Sequence, residues 1–211
     1  MGVAGLFITF EGIDRSGKTT QAERLAERLR AAGRSVVLTR EPGGTGLGRK
    51  VRSLLLARRS EVDPSAEMLL FAADRAQHVN TVIRPALSQG EVVVSDRFSD
   101  STVVYQGYGR RLDLDRIRAV QKVAAGGLKP DLTVWIDVDL ETVRQRWIPE
   151  DVDRFEAAGD AFFGRVRNGY ERIWQAEPER ILRVDGRRPV EDLACRIYSE
   201  VRERMAASRR P

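Results

Sequence analysis

The chain has 211 residues, 42% of them hydrophobic and 32% charged, with a net charge of +5, one histidine and one cysteine. That length suits one domain (1–211) with a sizeable core and room for a small lid. The single Cys195 excludes an internal disulfide framework and suits a reducing compartment, and the single His78 leaves little for zinc chemistry or a serine–histidine–aspartate triad.

The first apolar run, Leu6-Phe7-Ile8-Thr9-Phe10, predicts a strand. Gly12-Ile13-Asp14-Arg15-Ser16-Gly17-Lys18-Thr19 follows it, a complete G-x-x-x-x-G-K-[ST] loop, and then a helical pattern from Gln21 to Ala32. Strand, glycine loop and helix are the context in which this spacing marks a phosphate site. The glycines let backbone N–H groups wrap a polyphosphate, and the helix N-terminus adds partial positive charge. Lys18 can reach the outer phosphates and the Thr19 hydroxyl suits a magnesium ion; Thr20 completes the expected nucleotide-phosphate set, residues 12–20.

A second strand, Ser35–Thr39, leads into Arg40-Glu41-Pro42-Gly43-Gly44-Thr45, a turn that lets a ligand approach the backbone closely. Arg52 on the helix Gly46–Leu56 either points back to that turn or is solvated. On the helix Ser65–Gln77, Phe71 and Arg75 stand one turn apart on one face. They either stack on and hydrogen-bond a planar base, or divide into a core ring and a surface cation, the commoner arrangement. Pro85 is expected to end or kink the helix before the strand Glu91–Ser95. Asp96, at the end of that strand beside a phosphate loop, is a magnesium-side carboxylate, and Arg97 can neutralise a transferred or accepting phosphate. Ser101, Thr102, Tyr105 and Gln106 suit a base edge or a sugar.

Helices at Leu114–Ala125, Leu140–Trp147, Ala161–Ala176 and Val190–Met205 alternate with strands at Leu132–Asp137 and Ile181–Val184. Asp113 and Asp160 read as N-caps, Cys195 as a small core residue, and residues 206–211 as a frayed tail. Strands without strict alternation are covered on both faces, so the pattern predicts an α/β fold: a five-stranded parallel sheet between helical layers. Ligands in such sheets bind beyond the carboxyl ends of the strands. The clusters Gly12–Thr19, Arg40–Thr45, Asp96–Gln106 and Asp137–Glu156 all fall there, which argues for one shared site.

No apolar run approaches the roughly 20 residues of a membrane span, and the N-terminus lacks a signal-peptide pattern. A cytoplasmic protein is expected. The arginines are spread rather than packed in a block, so the basic excess fits phosphorylated ligands and not nucleic acid. An Asn-Lys-x-Asp guanine-reading segment is absent, which argues against a GTPase switch.

The combined pattern is specific. Glu11-Gly12-Ile13-Asp14 with Ser16-Gly17-Lys18-Thr19-Thr20-Gln21, Thr39-Arg40-Glu41-Pro42-Gly43-Gly44-Thr45, Phe71-Ala72-Ala73 with Arg75, and Asp96-Arg97 with Ser101-Thr102 and Tyr105-Gln106-Gly107 resembles thymidylate kinase. Matching segments run from about Leu6 to Val184 in the family's order. The resemblance implies a three-layer P-loop NTPase fold with a short mobile lid. It implies transfer of the γ-phosphoryl group of ATP to dTMP, a step toward dTTP; the alternative is another P-loop nucleoside monophosphate kinase. It implies that Phe71 stacks on thymine and Arg75 bonds its edge, with Ser101 and Thr102 near the base. Tyr105 lies under the sugar and disfavours a 2′-hydroxyl, and Asp14 holds the 3′-hydroxyl side. Arg52 and Arg97 grip the acceptor phosphate beside the Glu41-Pro42 turn. Lys18 and the loop amides hold ATP, and Thr19 with Asp96 supports Mg²⁺. The family is usually a homodimer, for which Ser65–Gln77 or Leu114–Ala125 offers an apolar face.

One departure bears on mechanism. Family members carry catalytic arginines either in the lid or, as Asp14-Arg15-Ser16 does here, in the P-loop. The lid, about 144–156, reads Arg144-Gln145-Arg146-Trp147-Ile148-Pro149-Glu150-Asp151-Val152-Asp153-Arg154-Phe155-Glu156; its stretch Trp147–Val152, just before Asp153-Arg154-Phe155-Glu156, is apolar and acidic where arginine-lid members are rich in arginine. The expected catalytic set is therefore Asp14, Arg15, Lys18 and Arg97, with Arg146 or Arg154 as the alternative source of charge. Arg144 or Arg146 is expected over adenine, bordered by Asp185–Pro189.

Overall fold

The structure, a computed structural model, describes residues 5–57, 61–146 and 159–207. Five strands, β1 (Leu6–Glu11), β2 (Val36–Arg40), β3 (Val92–Asp96), β4 (Leu132–Asp137) and β5 (Ile181–Asp185), each lie within one residue of expectation. They form one sheet in the order β2-β3-β1-β4-β5, with every pair parallel. β1 is central and buried throughout. Its side chains alternate between the two layers: Ile8 and Phe10 pack with Leu25 and Leu29 of α1 (Lys18–Ala31) and Ile197 and Val201 of α9 (Val190–Ala207), while Phe7 packs with Ile83, Val93 and Phe98. A strand apolar on both faces is the mark of a sheet covered on both sides. The register pairs Phe10 with Asp96 and Glu11 with Trp135, so the chain leaves β1, β3 and β4 at one edge.

Local chemistry sets the helix ends. α1 starts at Lys18, three residues before the pattern predicts, because Gly17 at φ 100° carries the phosphate loop straight into the first turn. Thr45 caps α2 (Gly46–Leu56) by accepting from Gly48 N at 2.9 Å, Asp63 caps α3 (Pro64–His78), and Asp113 caps α6 (Leu114–Ala125). Pro85 does not stop the helical path. A π turn, Val79–Ile83, follows α3, and Pro85 falls in the first turn of α4 (Arg84–Ser88), where a missing N–H is tolerated. The stretch after β3 is helical too, as α5 (Ser99–Thr102) and a second π turn, Val103–Gly109. α7 (Leu140–Gln145) ends two residues early; Trp147 and the rest of the expected lid to Glu156 lie outside the described residues.

Three expectations need correction. Gly159, not Asp160, is the residue before α8 (Asp160–Ala176); Asp160 is its first residue and pairs with Arg144. Cys195 is exposed, because Leu193, Ala194, Ile197 and Val201 form the buried stripe of α9 and leave it on the outer side, against Arg28. Ala206 and Ala207 belong to α9, so the expected tail is helical at its start; residues 208–211 are outside the described set.

α8 lies against the second π turn. A Cβ at Gly109 would stand 2.6 Å from the Phe162 ring, and one at Gly169 would stand 2.8 Å from the Tyr108 ring. No described helix is long and apolar enough to cross a membrane.

Candidate active site

Gly12 opens the phosphate loop at φ 144°, pressed so close to β4 that a Cβ would lie 2.5 Å from the Ile136 carbonyl oxygen. Lys18 is buried and donates from Nζ to the Ile13 carbonyl at 2.7 Å. Burial, then the cation Arg97, lower its pKa to about 8, against Asp14, Asp96 and Glu11, which raise it. The Thr19 hydroxyl donates to Asp96 Oδ2 at 2.5 Å. Arg15 is a non-glycine residue in the left-handed region, φ 61°. Its Nη1 donates to the Arg146 carbonyl at 3.3 Å. Arg146 returns the contact, donating to the Arg15 and Ser16 carbonyls at 3.3 Å and to the Gly186 carbonyl at 2.8 Å. It thus joins the phosphate loop to the loop after β5. Arg144 is engaged by Asp160 instead.

Arg97, at φ 74°, turns the chain leaving β3 back over the phosphate loop. Its Nη1 donates to the Gly12 carbonyl at 2.9 Å and to Ser101 Oγ at 3.0 Å. Its Nη2 pairs with Asp14 Oδ1 and donates to Tyr105 OH at 3.1 Å, and Tyr105 OH donates to Asp14 Oδ2 at 2.9 Å. Burial alone would raise the pKa of Asp14, but Arg97 and Lys18 outweigh it and hold the carboxyl below its usual range.

Beside this knot opens a cleft of about 590 Å³, its open mouth included. All ten residues expected around the acceptor line it: Asp14, Glu41, Pro42, Arg52, Phe71, Arg75, Arg97, Ser101, Thr102 and Tyr105, joined by Leu56, Phe98 and Gln106. Arg52 points back to the turn, donating to the Pro42 carbonyl at 3.1 Å. The Glu41–Pro42 peptide is cis. Phe71 is half-buried and Arg75 is 1% exposed, so the arrangement of a core ring and a surface cation is not the one adopted. Arg75 donates to Glu41 Oε2 at 2.8 Å, Thr102 Oγ1 at 3.0 Å and the Phe98 carbonyl at 3.0 Å, and also to Gln121 Oε1. Glu41 also meets His78 Nδ1 at 2.8 Å, and His78 Nε2 lies 2.7 Å from Thr39 Oγ1. Glu41 therefore serves Arg75 more directly than it serves a ligand.

Several participants carried no separate signal. Glu11 ends β1 fully buried and accepts from Phe98 N at 2.8 Å, Ser101 Oγ at 2.5 Å and Tyr170 OH at 2.8 Å. It fixes the loop on which Arg97 and Ser101 sit. Tyr170, from the middle of α8, and Gln121, from α6, read in the sequence as ordinary helix positions.

Burial, then Asp100, push the Glu11 carboxyl from 4.5 to about 7, against Arg97, Ser101 and Tyr170. A group that holds its proton more tightly when folded favours folding at low pH, so this contribution shrinks as pH climbs from 4.5 to about 7. Glu11→Gln is expected to flatten that part of the stability profile. Urea midpoints at about pH 5 and pH 8 measure it, and an unaltered slope would place the titration elsewhere.

The same residues locate the chain among known proteins. A sequence model of the family described as Thymidylate kinase matches residues 10–197. The chain belongs to the thymidylate kinase family. A thymidylate kinase of Leifsonia xyli subsp. xyli is 52% identical over 195 residues, covering 92% of each chain. One from Synechococcus sp. strain JA-3-3Ab is 50% identical over 204 residues, covering 96% of this chain and 98% of that one. The crystal structure of thymidylate kinase from Ehrlichia chaffeensis superposes with a TM-score of 0.76 at 37% identity, covering 94% of this chain and 99% of that one. The α/β architecture with its flanked parallel sheet is that of this P-loop kinase family.

Proposed function

We propose that the chain transfers the γ-phosphoryl group of ATP to dTMP, giving dTDP, with Mg²⁺ as cofactor. Family membership supports the reaction class and acceptor, and the geometry supports the division of labour. The observation that carries it is Arg97, a single guanidinium tied to the Gly12 carbonyl of the phosphate loop and to Ser101 and Tyr105 of the cleft. A cation at that seam lets two polyanions meet end to end, the main obstacle in phosphoryl transfer.

The amides of residues 12–20 and Lys18 bind the donor phosphates, with Arg146 on the adenine side. Arg97 and Arg52 hold the acceptor phosphate, and Asp14 and Tyr105 the sugar. Phe71 stacks on thymine, while Arg75, with Ser101 and Thr102 beside it, reads the base edge. Arg15 supplies charge to the transferring group. The Thr19 hydroxyl and Asp96 carboxylate form a hard-oxygen pair at the loop mouth, which fits magnesium shared with phosphate oxygens and water. That ion, when bound, neutralises charge on the phosphates.

The described helices offer apolar side chains for a homodimer: Leu47 and Leu54 on α2, Leu69 on α3 and Val123 on α6 are all exposed. A cytoplasmic location is part of this reading, supported by a single cysteine, which leaves no disulfide within the chain. Product analysis with Mg-ATP and a panel of nucleoside monophosphates tests the assignment. dTDP and ADP in equal amounts are expected; preference for a ribonucleotide or a free nucleoside would point to another P-loop kinase.

A further inference from the structure

We propose that Gln121, on α6 and outside the cleft lining, is a positioning residue for Arg75 and so a determinant of which base is accepted. This rests on the reading above, in which Arg75 meets the edge of a pyrimidine. A guanidinium has five N–H donors in a rigid plane. Arg75 commits Nε to Glu41, the two Nη1 protons to Thr102 and Gln121, and one Nη2 proton to the Phe98 carbonyl. One Nη2 proton remains, and Arg75 lines the cleft. A single fixed donor can donate to a 4-keto oxygen and opposes a 4-amino group, which would set donor against donor.

Glu41, Thr102 and Phe98 belong to the cleft wall; Gln121 does not. Gln121 alone takes the second Nη1 proton. Without it Arg75 carries two uncommitted donors, and Nη1 is held by Thr102 alone. The cleft then loses the one-donor register that separates keto from amino.

The chemistry of Gln121 fits this role better than packing does. It is 6% exposed, and its Nε2 has no hydrogen-bond partner among the described residues. Turning the amide over would face Nε2 toward the guanidinium, so Arg75 dictates the orientation and leaves a buried N–H unpaired. A position kept for packing alone would be better filled by leucine. A neutral acceptor also holds Arg75 without adding a second carboxylate to Glu41, which already balances its charge.

The test compares Gln121→Leu, which removes the acceptor, with Gln121→Glu, which keeps it in place. Steady-state kinetics are measured with dTMP and with dCMP. Gln121→Leu is expected to raise KM for dTMP about tenfold, to leave KM for ATP within about twofold, and to cut the dTMP-over-dCMP ratio of kcat/KM by at least about tenfold. Gln121→Glu is expected to keep most of that ratio. An unchanged ratio in a folded Gln121→Leu protein overturns the proposal. Should that variant not fold, Gln121→Asn, which withdraws the amide by one methylene, is read by the same ratio with the same two outcomes. A wild-type enzyme that turns over dCMP as readily as dTMP would sink the reading of Arg75 itself, whereas a selective wild type with an equally selective variant sinks only the role of Gln121.

Discussion

Arg15→Gly is expected to lower turnover about 10³-fold and to leave the protein as stable as before, or slightly more so. The two halves have separate causes. In the proposed mechanism the guanidinium supplies charge to the transferring group, and such a charge acts mainly in the transition state, so KM for either nucleotide should move little. The backbone at Arg15, with φ 61°, is in a region that costs a side-chain-bearing residue of order 1 kcal/mol and costs glycine almost nothing. The contacts that Arg146 makes to this loop use the Arg15 and Ser16 carbonyls, which glycine retains. Arg154→Ala is the control, outside the described residues. A large loss in Arg154→Ala with none in Arg15→Gly would move the catalytic charge to the segment after α7.

At Arg97, activity and stability should fall together. Its guanidinium is mostly buried and answers Asp14, the Gly12 carbonyl, Ser101 and Tyr105 at once. Arg97→Met fills the space but strands the Asp14 carboxylate beside a cleft wall. Removing one partner of a buried ion pair costs about 3–5 kcal/mol; Asp14 keeps 27% of its side chain in contact with solvent, which favours the lower end. Turnover is expected to drop by about 10²–10³-fold through lost neutralisation at the seam between the nucleotides. Adding Asp14→Asn to Arg97→Met removes the stranded charge and should restore part of the stability and none of the activity. Urea unfolding with unchanged m-values is the measurement. A single variant as stable as the parent would mean that desolvation of the pair already cancels its attraction.

The elements that repeat were legible, and the elements that cross-link were not. The strands β1 to β5 announced themselves as short apolar runs, and Gly12 to Thr19 as a loop whose spacing has few other uses. Periodicity of 3.6 does not register one extra residue per turn, so the π turns Val79–Ile83 and Val103–Gly109 read as helix or as loop. Cys195 looked like a core residue because it lies among apolar neighbours, and only the turn of α9 shows it on the outer side. Arg75 is the sharper lesson: arginines are rarely buried, yet the partners that bury it come from three separate segments and no local pattern reveals them. Glu11 and Tyr170, 159 residues apart, meet only in the folded chain, where α8 lies against the second π turn.

The contact between α8 and the second π turn is made through hydrogens, at Gly109 beneath Phe162 and at Gly169 beneath Tyr108. Each glycine answers a ring on the opposite segment, so the two pieces form a lock cut to one key. A hybrid enzyme that borrows residues 160–176 from a cousin would have to borrow residues 103–109 from the same donor. Swapped singly, either piece would prise Tyr105 away from Arg97 and Tyr170 away from Glu11.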